Sequence, residues 1–502
     1  MDGDILQSAW DGLQIVFSWP YIVYPIVGTL LAMAFALLPG LSGAALMALA
    51  IPLTIQWDPI AVMLLFGAFL GGATFMGSVT AVLFNIPGRP SNAASLIDGY
   101  PLARAGQART ALGCSAAASA LGSTFGVVIL LLAIPIVRQL LLAFGPAELL
   151  LMIVWGLTAI AALSRDALLK GLIAAGLGLT LSFVGLDPQG AAPRFTFTSS
   201  FLESGISLVP AFLGLYALAE LFALMRNRRP TISRQGHGLG GSVRAGVATV
   251  FRHPWLFLRS SAIGTVIGMI PGVGGTVASF VAYGHAVQSS RDDPKFGQGD
   301  IRGLLAPEAA NDAKDGGALI PTLAFGIPGG TGTAMLLAVL TLHGLEPGRE
   351  MLGSQLTYVF VLIWSLFLSN WLTSVLGLAT ISPLARLTTI RSGLLIPALL
   401  IIATVGAYLY RGEMLDVATA YACGALGYAM KVGGWPRIPM MIGLVLGALF
   451  ERNLLLVMRL TELDRLNIFE RPASLVLILM IAVVLAYPLV RNFSRRIATE
   501  DS

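Results

Sequence analysis

Five polar side chains lie close together in an otherwise apolar chain. They are Glu308, Asn311, Asp312, Lys314 and Asp315. Residues three or four apart share one face of a helix, so the three acids and the asparagine are predicted to form a polar face. Such a face can line a vestibule or coordinate a cation, and the lysine can meet an anion or pair with an acid. A solvated helix start beside a loop is the alternative.

Two proline–glycine breaks interrupt apolar segments in similar surroundings. Residues 37–43 read LLPGLSG and residues 269–275 read MIPGVGG. Proline removes a backbone donor and glycine disfavours a helix, so a helix should stop at each break. A helix that restarts there points its free N–H groups at an anion. An ordinary turn between two short helices is the alternative.

The candidate substrate-binding residues are those of the two breaks. Ser42 and Thr276 add hydroxyl groups, and the glycines allow a ligand to approach the backbone closely. The full set is Pro39, Gly40, Leu41, Ser42, Gly43, Pro271, Gly272, Gly274, Gly275 and Thr276.

Each half of the chain also ends a glycine-rich apolar segment with Ile-Pro-Gly. Residues 71–88 read GGATFMGSVTAVLFNIPG and residues 316–329 read GGALIPTLAFGIPG. We expect re-entrant hairpin tips whose oxygens suit a hard cation such as Na⁺. A helix end at the membrane interface is the alternative, and Arg89 beside the first copy favours it. The candidate tip residues, for a cation or for the substrate, are Asn85, Pro87, Gly88, Asn311, Gly326, Pro328, Gly329, Gly330 and Thr331.

The composition is that of a membrane protein. Of 502 residues, 56% are hydrophobic and 11% are charged, whereas soluble proteins carry about 25% charged residues. No charged residue lies between Asp11 and Asp58, or between Asp58 and Arg89. No segment alternates like a barrel strand. The predicted fold is an all-α polytopic membrane protein of about 11–13 transmembrane or part-spanning helices.

The charge distribution predicts a topology. Residues 226–259 contain seven arginines and no acid, which indicates a cytoplasmic loop rather than a nucleic-acid site. The basic C-terminus should share that side, and the acidic N-terminus should lie outside. Opposite ends imply an odd number of crossings.

The duplicated break and Ile-Pro-Gly segment predict two pseudo-symmetric repeats with broken helices. The expected halves are residues 1–225 and 260–502, joined by the basic linker 226–259. Duplicated broken helices carry the substrate and ion sites of many secondary transporters. We therefore expect a transporter that uses no ATP and no cofactor. On this reasoning Gly272→Val should block uptake and leave expression intact.

An enzyme is the less favoured interpretation. Gly40-Leu41-Ser42-Gly43 matches the GxSG of rhomboid-type serine proteases, but that chemistry needs a histidine base near the serine. His285 and His343 are the histidines in or beside apolar segments. The second break lacks the serine, so a protease would not need it. Cys114 and Cys423 lie in apolar segments and predict no disulfide or metal site.

Three ordered segments resemble the large membrane (transport) subunit of the tripartite tricarboxylate transporters. They are GTLLAMAFALLPGLSGAALMALAIPLT (28–54), NIPGRPSNAASLIDGYPLARAGQARTALG (85–113) and GLLAPEAANDAKDGGALIPTLAFGIPGGTGTA (303–334). Two positions depart from the family pattern. Arg302 replaces a common acid, and Asp312 replaces a usual second asparagine.

The resemblance implies a multi-pass protein of the bacterial inner (cytoplasmic) membrane that imports di- or tricarboxylates. It implies a small membrane subunit of about four helices and a periplasmic substrate-binding protein as partners, with membrane lipid around the chain and no nucleic acid. Coupling to Na⁺ or H⁺ and an elevator-like movement are also expected. A transporter or exporter that works without a binding protein is the alternative.

Overall fold

The computed structural model describes most of the chain. The described residues are 2–38, 41–162, 168–187, 192–226, 240–290, 295–380, 392–463 and 466–500. Within them the chain is almost wholly helical, and the strands are the two-residue antiparallel pair β1 (Gly185–Leu186) and β2 (Pro193–Arg194). The predicted all-α class is confirmed.

The helices of the first half follow the apolar segments of the sequence. They are α1 (Asp2–Phe17), α2 (Val23–Leu37), α3 (Gly43–Thr54), α4 (Pro59–Gly72), α5 (Thr74–Phe84), α6 (Leu96–Leu102), α7 (Ala108–Ala143), α8 (Pro146–Ala162), α9 (Leu168–Ser182), α10 (Ser200–Glu203), α11 (Leu208–Phe212) and α12 (Ala219–Arg226).

The helices of the second half include the longest buried one. They are α13 (Val243–Arg252), α14 (Pro254–Met269), α15 (Gly274–Ser289), α16 (Ile301–Phe325), α17 (Thr331–Leu342), α18 (Leu356–Ala379), α19 (Ser392–Arg411), α20 (Met414–Val432), α21 (Arg437–Glu462) and α22 (Pro472–Glu500).

Helix α16 lies at the centre of the functional region, between α7, α14 and α15. The seam between α7 and α16 is very tight, because a Cβ on Gly122 or Gly126 of α7 would overlap the backbone of Ala309 or Ala313. Small residues at such seams let helix backbones approach closely. The seam therefore fixes α16 against α7.

The two halves place equivalent helices in equivalent contacts. Helix α2 packs on α4 and α5, and α14 packs on α16. Both α5 and α16 end in a left-handed residue, Asn85 with φ 56° and Gly326 with φ 69°. A left-handed cap stops a helix by satisfying its last carbonyls. This common order agrees with the predicted repeat, and the division at 1–225, 226–259 and 260–502 stays a prediction.

The basic stretch 226–259 is not a simple loop. Residues 227–239 lie outside the described residues, but α13 (Val243–Arg252) packs on α7. Gly246 of α13 lies against the backbone of Cys114. Part of the predicted linker is therefore a helix of the packed body.

Five helical stretches of the described chain are long and apolar enough to cross a membrane. They run over Pro59–Phe84, Leu96–Leu141, Leu208–Arg226, Leu356–Ala379 and Arg437–Glu462. Shorter apolar helices accompany them, including α3, which restarts after the first break, and α17, which follows the second Ile-Pro-Gly segment. The number of crossings and the sidedness of the ends stay predictions.

Candidate functional site

The second break brings three motifs together. Helix α14 ends at Met269 and α15 begins at Gly274. A Cβ on Gly275 would lie 2.7 Å from the Asn311 side-chain oxygen and would overlap the Lys314 side chain. Gly274 faces open space, and its Cα would lie 4.0 Å from a Cβ on Gly330. The break, the polar stretch of α16 and the second Ile-Pro-Gly segment therefore surround one small opening.

The first break places a cation beside the start of α3. Pro39 and Gly40 lie outside the described residues, and Ser42 caps α3 by accepting the Ala45 N–H at 3.2 Å. A Cβ on Gly43 would lie 3.9 Å from Arg89 Nη2. Arg89, which directly follows the first Ile-Pro-Gly segment, thus places its guanidinium beside this break.

Arg89 has a neutral partner. Its Nη1 donates to Thr74 Oγ1 at 3.1 Å, and among the described residues no carboxylate lies within ion-pair distance of it. A half-buried guanidinium without a counter-charge is suited to an anionic ligand. The sequence pattern at Arg89 is interpreted as a sign of the membrane interface and does not suggest an anion-binding residue.

The polar stretch of α16 is buried, and its side chains meet two different sets of neighbours. Glu308 and Asp312 are fully buried, and Glu308 is bonded to serines from α5 and α7. Asn311 and Lys314 lie against Gly275 at the break. The burial of these residues also excludes the alternative of a solvated helix start.

Glu308 is held by three hydroxyl groups. Ser78 donates at 2.7 Å and Ser115 at 2.8 Å, and Ser95 makes a third short hydrogen bond. The Asn92 amide in turn donates to Ser78 at 2.7 Å. Hydrogen bonds to both oxygens stabilise a buried carboxylate. No local sequence pattern predicts these serines. They lie about 200 residues from Glu308 in the chain, and folding alone brings them into contact with it.

Lys314 and Asp315 form a buried ion pair. Their side chains are 12% and 11% exposed, and Lys314 Nζ donates to Asp315 Oδ1. Of the two roles considered for Lys314, pairing with an acid is the one observed. Its contact with Gly275 leaves it beside the opening as well.

The Ile-Pro-Gly tips are tightly folded. The Gly88 N–H donates to the Gly77 carbonyl at 3.2 Å, and a Cβ on Gly329 would lie 2.6 Å from Ala318 Cβ. Thr333 Oγ1 accepts the Gly330 N–H at 3.0 Å. In the described part of the chain, no group of three His, Cys, Asp or Glu side chains could hold a metal ion. A Na⁺ site built at the tips stays a prediction.

Asn311 does not belong with the tips, since it lies in the middle of α16. Its side-chain oxygen and nitrogen are buried without a hydrogen-bond partner, and they face Gly275. Buried amides are normally hydrogen-bonded. Asn311 therefore lies at the second break, and its role in binding stays a prediction.

The two halves are connected crosswise. The turn Pro90–Asn92, which follows the first Ile-Pro-Gly segment, contacts α15 of the second break. Helix α17, which follows the second Ile-Pro-Gly segment, contacts α3 of the first break. Each break is thus completed by residues of both halves.

Asp98 organises the loop 297–300, which reads GQGD. Its Oδ1 accepts the N–H groups of Gly297, Gly299 and Asp300 at 2.8–2.9 Å, and Tyr283 donates to Oδ2 at 3.0 Å. The two glycines have φ of 81° and 106°, conformations that glycine adopts at least cost. The loop anchors the start of α16.

Arg302 is locally neutralised at the start of α16. Its Nη2 lies 2.7 Å from Asp300 Oδ2. Burial raises the pKa of the Asp300 carboxyl, but the hydrogen bonds and charge of Arg302 outweigh burial, so the pKa lies below its ordinary value. The departure of Arg302 from the family pattern therefore adds little free positive charge.

The geometry gives no serine–histidine pair. His343 Nε2 lies 3.1 Å from the carbonyl of Thr54, at the opposite end of α3 from Ser42. A helix of twelve residues separates its ends by about 18 Å. His285 lies on α15, and its Nε2 is buried without a hydrogen-bond partner. Among the described residues, Ser42 therefore lacks the base that a serine protease needs.

The helices and the paired breaks define a multi-pass membrane protein of the transporter class. Residues 22–442 match the family model described as the tripartite tricarboxylate transporter TctA family. The chain belongs to this family, as the three sequence segments predicted.

Two relatives come from Agrobacterium vitis. The "uncharacterized 52.8 kDa protein in TAR-I ttuC' 3'region" is 30% identical, with 99% of each chain covered. The "uncharacterized protein in TAR-II ttuC' 3'region" is 32% identical over 47% of this chain and its own full length. No solved structure matches the chain.

Proposed function

We propose that the chain is the transport subunit of a binding-protein-dependent secondary transporter that imports di- or tricarboxylates with Na⁺ or H⁺. The observation that supports a di- or tricarboxylate substrate is that one basic side chain lies beside the start of each of the two helices. Arg89 lies beside Gly43 of α3, and Lys314 lies beside Gly275 of α15. Family membership supports the transport role.

Arg89 and Lys314, each beside a helix start, match a substrate with two or more carboxylates. Lys314 also holds Asp315 and would meet the substrate through its remaining N–H donors. Each helix N-terminus carries about half a positive charge and free N–H donors. The Arg89 guanidinium can bind a carboxylate through two hydrogen bonds, whereas Lys314 acts as a point charge. Glycines at 43, 274 and 275 let a carboxylate reach the backbone. One carboxylate would bind at each break.

The crosswise packing supports an elevator-like movement. Both breaks depend on segments from both halves, so separation of the halves would dismantle the site. Movement of the two breaks together keeps the site intact while its access changes. The tight seam between α7 and α16 makes these helices one rigid unit in this proposal.

Arg89→Gln tests the substrate assignment. The variant keeps a polar side chain but loses the charge, and loss of a charge-assisted hydrogen bond costs about 1.5–3 kcal/mol. The half-saturating citrate concentration in cells that express the complete system should rise about 10- to 100-fold. Arg104→Gln, at an exposed position, is the matched control. Unchanged citrate affinity in Arg89→Gln would contradict the site.

The partners are tested by purification. We expect the tagged chain, extracted from its native membranes in mild detergent, to bring down a small membrane protein of about four helices. Addition of the purified periplasmic binding protein loaded with citrate should increase uptake. A chain that repeatedly purifies alone, and transports without a periplasmic component, would instead be a one-component transporter or exporter of the bacterial inner membrane.

A further inference from the structure

Asp312 is an unusual buried acid. Its side chain is 0% exposed, and neither carboxylate oxygen has a hydrogen-bond partner. Glu308, one turn earlier on α16, is equally buried but accepts hydrogen bonds from three serines. The Glu308 carboxylate is therefore surrounded by hydroxyl donors, whereas the Asp312 carboxylate has none in hydrogen-bond geometry.

A row of serines on α7 runs beside the acids of α16. Ser115, Ser119 and Ser123 are four residues apart and therefore lie on one face of α7. Ser115 donates to Glu308 at 2.8 Å. Ser119 lies beside Asp312 without meeting hydrogen-bond geometry, and its hydroxyl is buried and unpartnered. A small movement of either side chain would let the Ser119 hydroxyl and the Asp312 carboxyl form a hydrogen bond.

The charged groups that act on Asp312 belong to α16 itself. They are Asp315, Glu308 and Lys314, and the charge of Lys314 is already paired with Asp315. The helices packed around α16 contribute few ionisable groups. These are Cys114 of α7 facing Glu308, Arg109 and Arg138 towards the ends of α7, Arg244 and Arg252 of α13, Arg259 near the start of α14, Tyr283 and His285 of α15, and Asp98 and Tyr100 of α6.

A buried ionised carboxylate without a partner is very unfavourable, and such a group takes up a proton or a cation instead. A hard metal ion needs a shell of about six oxygen ligands. The α7–α16 seam leaves no room for that shell, because Gly122 and Gly126 already touch the backbone of α16. A proton needs no added volume.

We propose that Asp312 is the binding site of the coupling proton, an inference that rests on the proposed transport function. An O–H bond forms on one Asp312 oxygen when the proton enters, and it breaks on release to restore the carboxylate. Ser119 is the neighbouring hydroxyl that accepts a hydrogen bond from the protonated form.

Infrared spectroscopy of the purified full chain in lipid vesicles tests proton binding directly. The wild type should show the carbonyl band of a protonated buried carboxyl group that disappears at high pH. The band should be absent in Asp312→Asn, which has the same shape, and present in Asp312→Glu. It should persist in Glu308→Gln, because the proposal places the proton on Asp312.

Three outcomes would overturn the proposal. They are a wild-type chain without the band at any pH from 5 to 9, a band lost in Glu308→Gln, and a band that responds to Na⁺ at constant pH. The wild-type measurement decides even if Asp312→Asn fails to fold. It also does not depend on transport, so it separates this inference from the proposed function.

Coupling is tested in vesicles that contain the complete system, with citrate as the probe. An acid-outside pH gradient should drive accumulation severalfold above equilibrium in the wild type. Asp312→Asn should exchange internal for external citrate but should not accumulate it. Absence of any carboxylate transport by the wild type would reject the proposed function, whereas gradient-driven accumulation by Asp312→Asn would reject the role of Asp312.

Discussion

Gly272→Val is expected to remove folded protein from the membrane. Gly272 has a φ of 76°, and a Cβ there would lie 2.7 Å from the Cα of Ile160. A β-branched residue in the left-handed region costs about 1–3 kcal/mol, and overpacking costs a further 1–3 kcal/mol or so. Proteins are typically stable by only about 5–15 kcal/mol. The sequence-based expectation of intact expression is therefore replaced.

The measurement for Gly272→Val is the amount of monodisperse protein on size-exclusion chromatography in detergent. Gly330→Ala is the matched control, because Gly330 has an extended φ of −174° and its nearest neighbour to a Cβ is Gly274 Cα at 4.0 Å. That variant should fold normally, yet its methyl group narrows the opening and should weaken citrate uptake. If Gly272→Val were as abundant as the wild-type protein, the close contact of Gly272 with Ile160 of α8 would be contradicted.

Lys314→Met is expected to lose both stability and transport. The substitution leaves Asp315 buried without its cation, and breaking a buried pair in this way costs about 3–5 kcal/mol. It also removes one of the two cations at the breaks. Thermal unfolding of the purified variant should begin at a markedly lower temperature, and citrate uptake should fall to background.

The double variant Lys314→Met/Asp315→Asn separates these two effects. It removes both charges, so most of the lost stability should return. Citrate uptake should remain near background, because the cation beside Gly275 is still missing. Wild-type transport by the double variant would show that Lys314 serves packing alone and does not meet the substrate.

Local sequence was enough to place the helix ends of both halves. Pro-Gly breaks end α2 and α14, and a left-handed residue before each Ile-Pro-Gly ends α5 and α16. These boundaries follow from the φ range and hydrogen-bond capacity of a few neighbouring residues. The membrane class and the family were likewise readable, since composition and ordered motifs carry them.

The sequence placed the site only in part. It named the breaks and Asn311, but it assigned Asn311 to a hairpin tip and overlooked Arg89. Helical spacing alone could not show which neighbours each polar residue of α16 meets, since that depends on the helices that pack around α16. Only the contact with Gly275 shows that Lys314 lies at a break.

The tertiary structure decided which distant segments complete each site. The serines at Glu308 and the crosswise contacts of α15 and α17 join residues about 200 or more positions apart in the chain. The carboxylate of Asp312 lacks a partner because of the same long-range packing. Backbone propensities act over a few residues and hold no information about these distances. Burial and close glycine packing set them, because the helices must exclude one another's volume while pairing their polar groups.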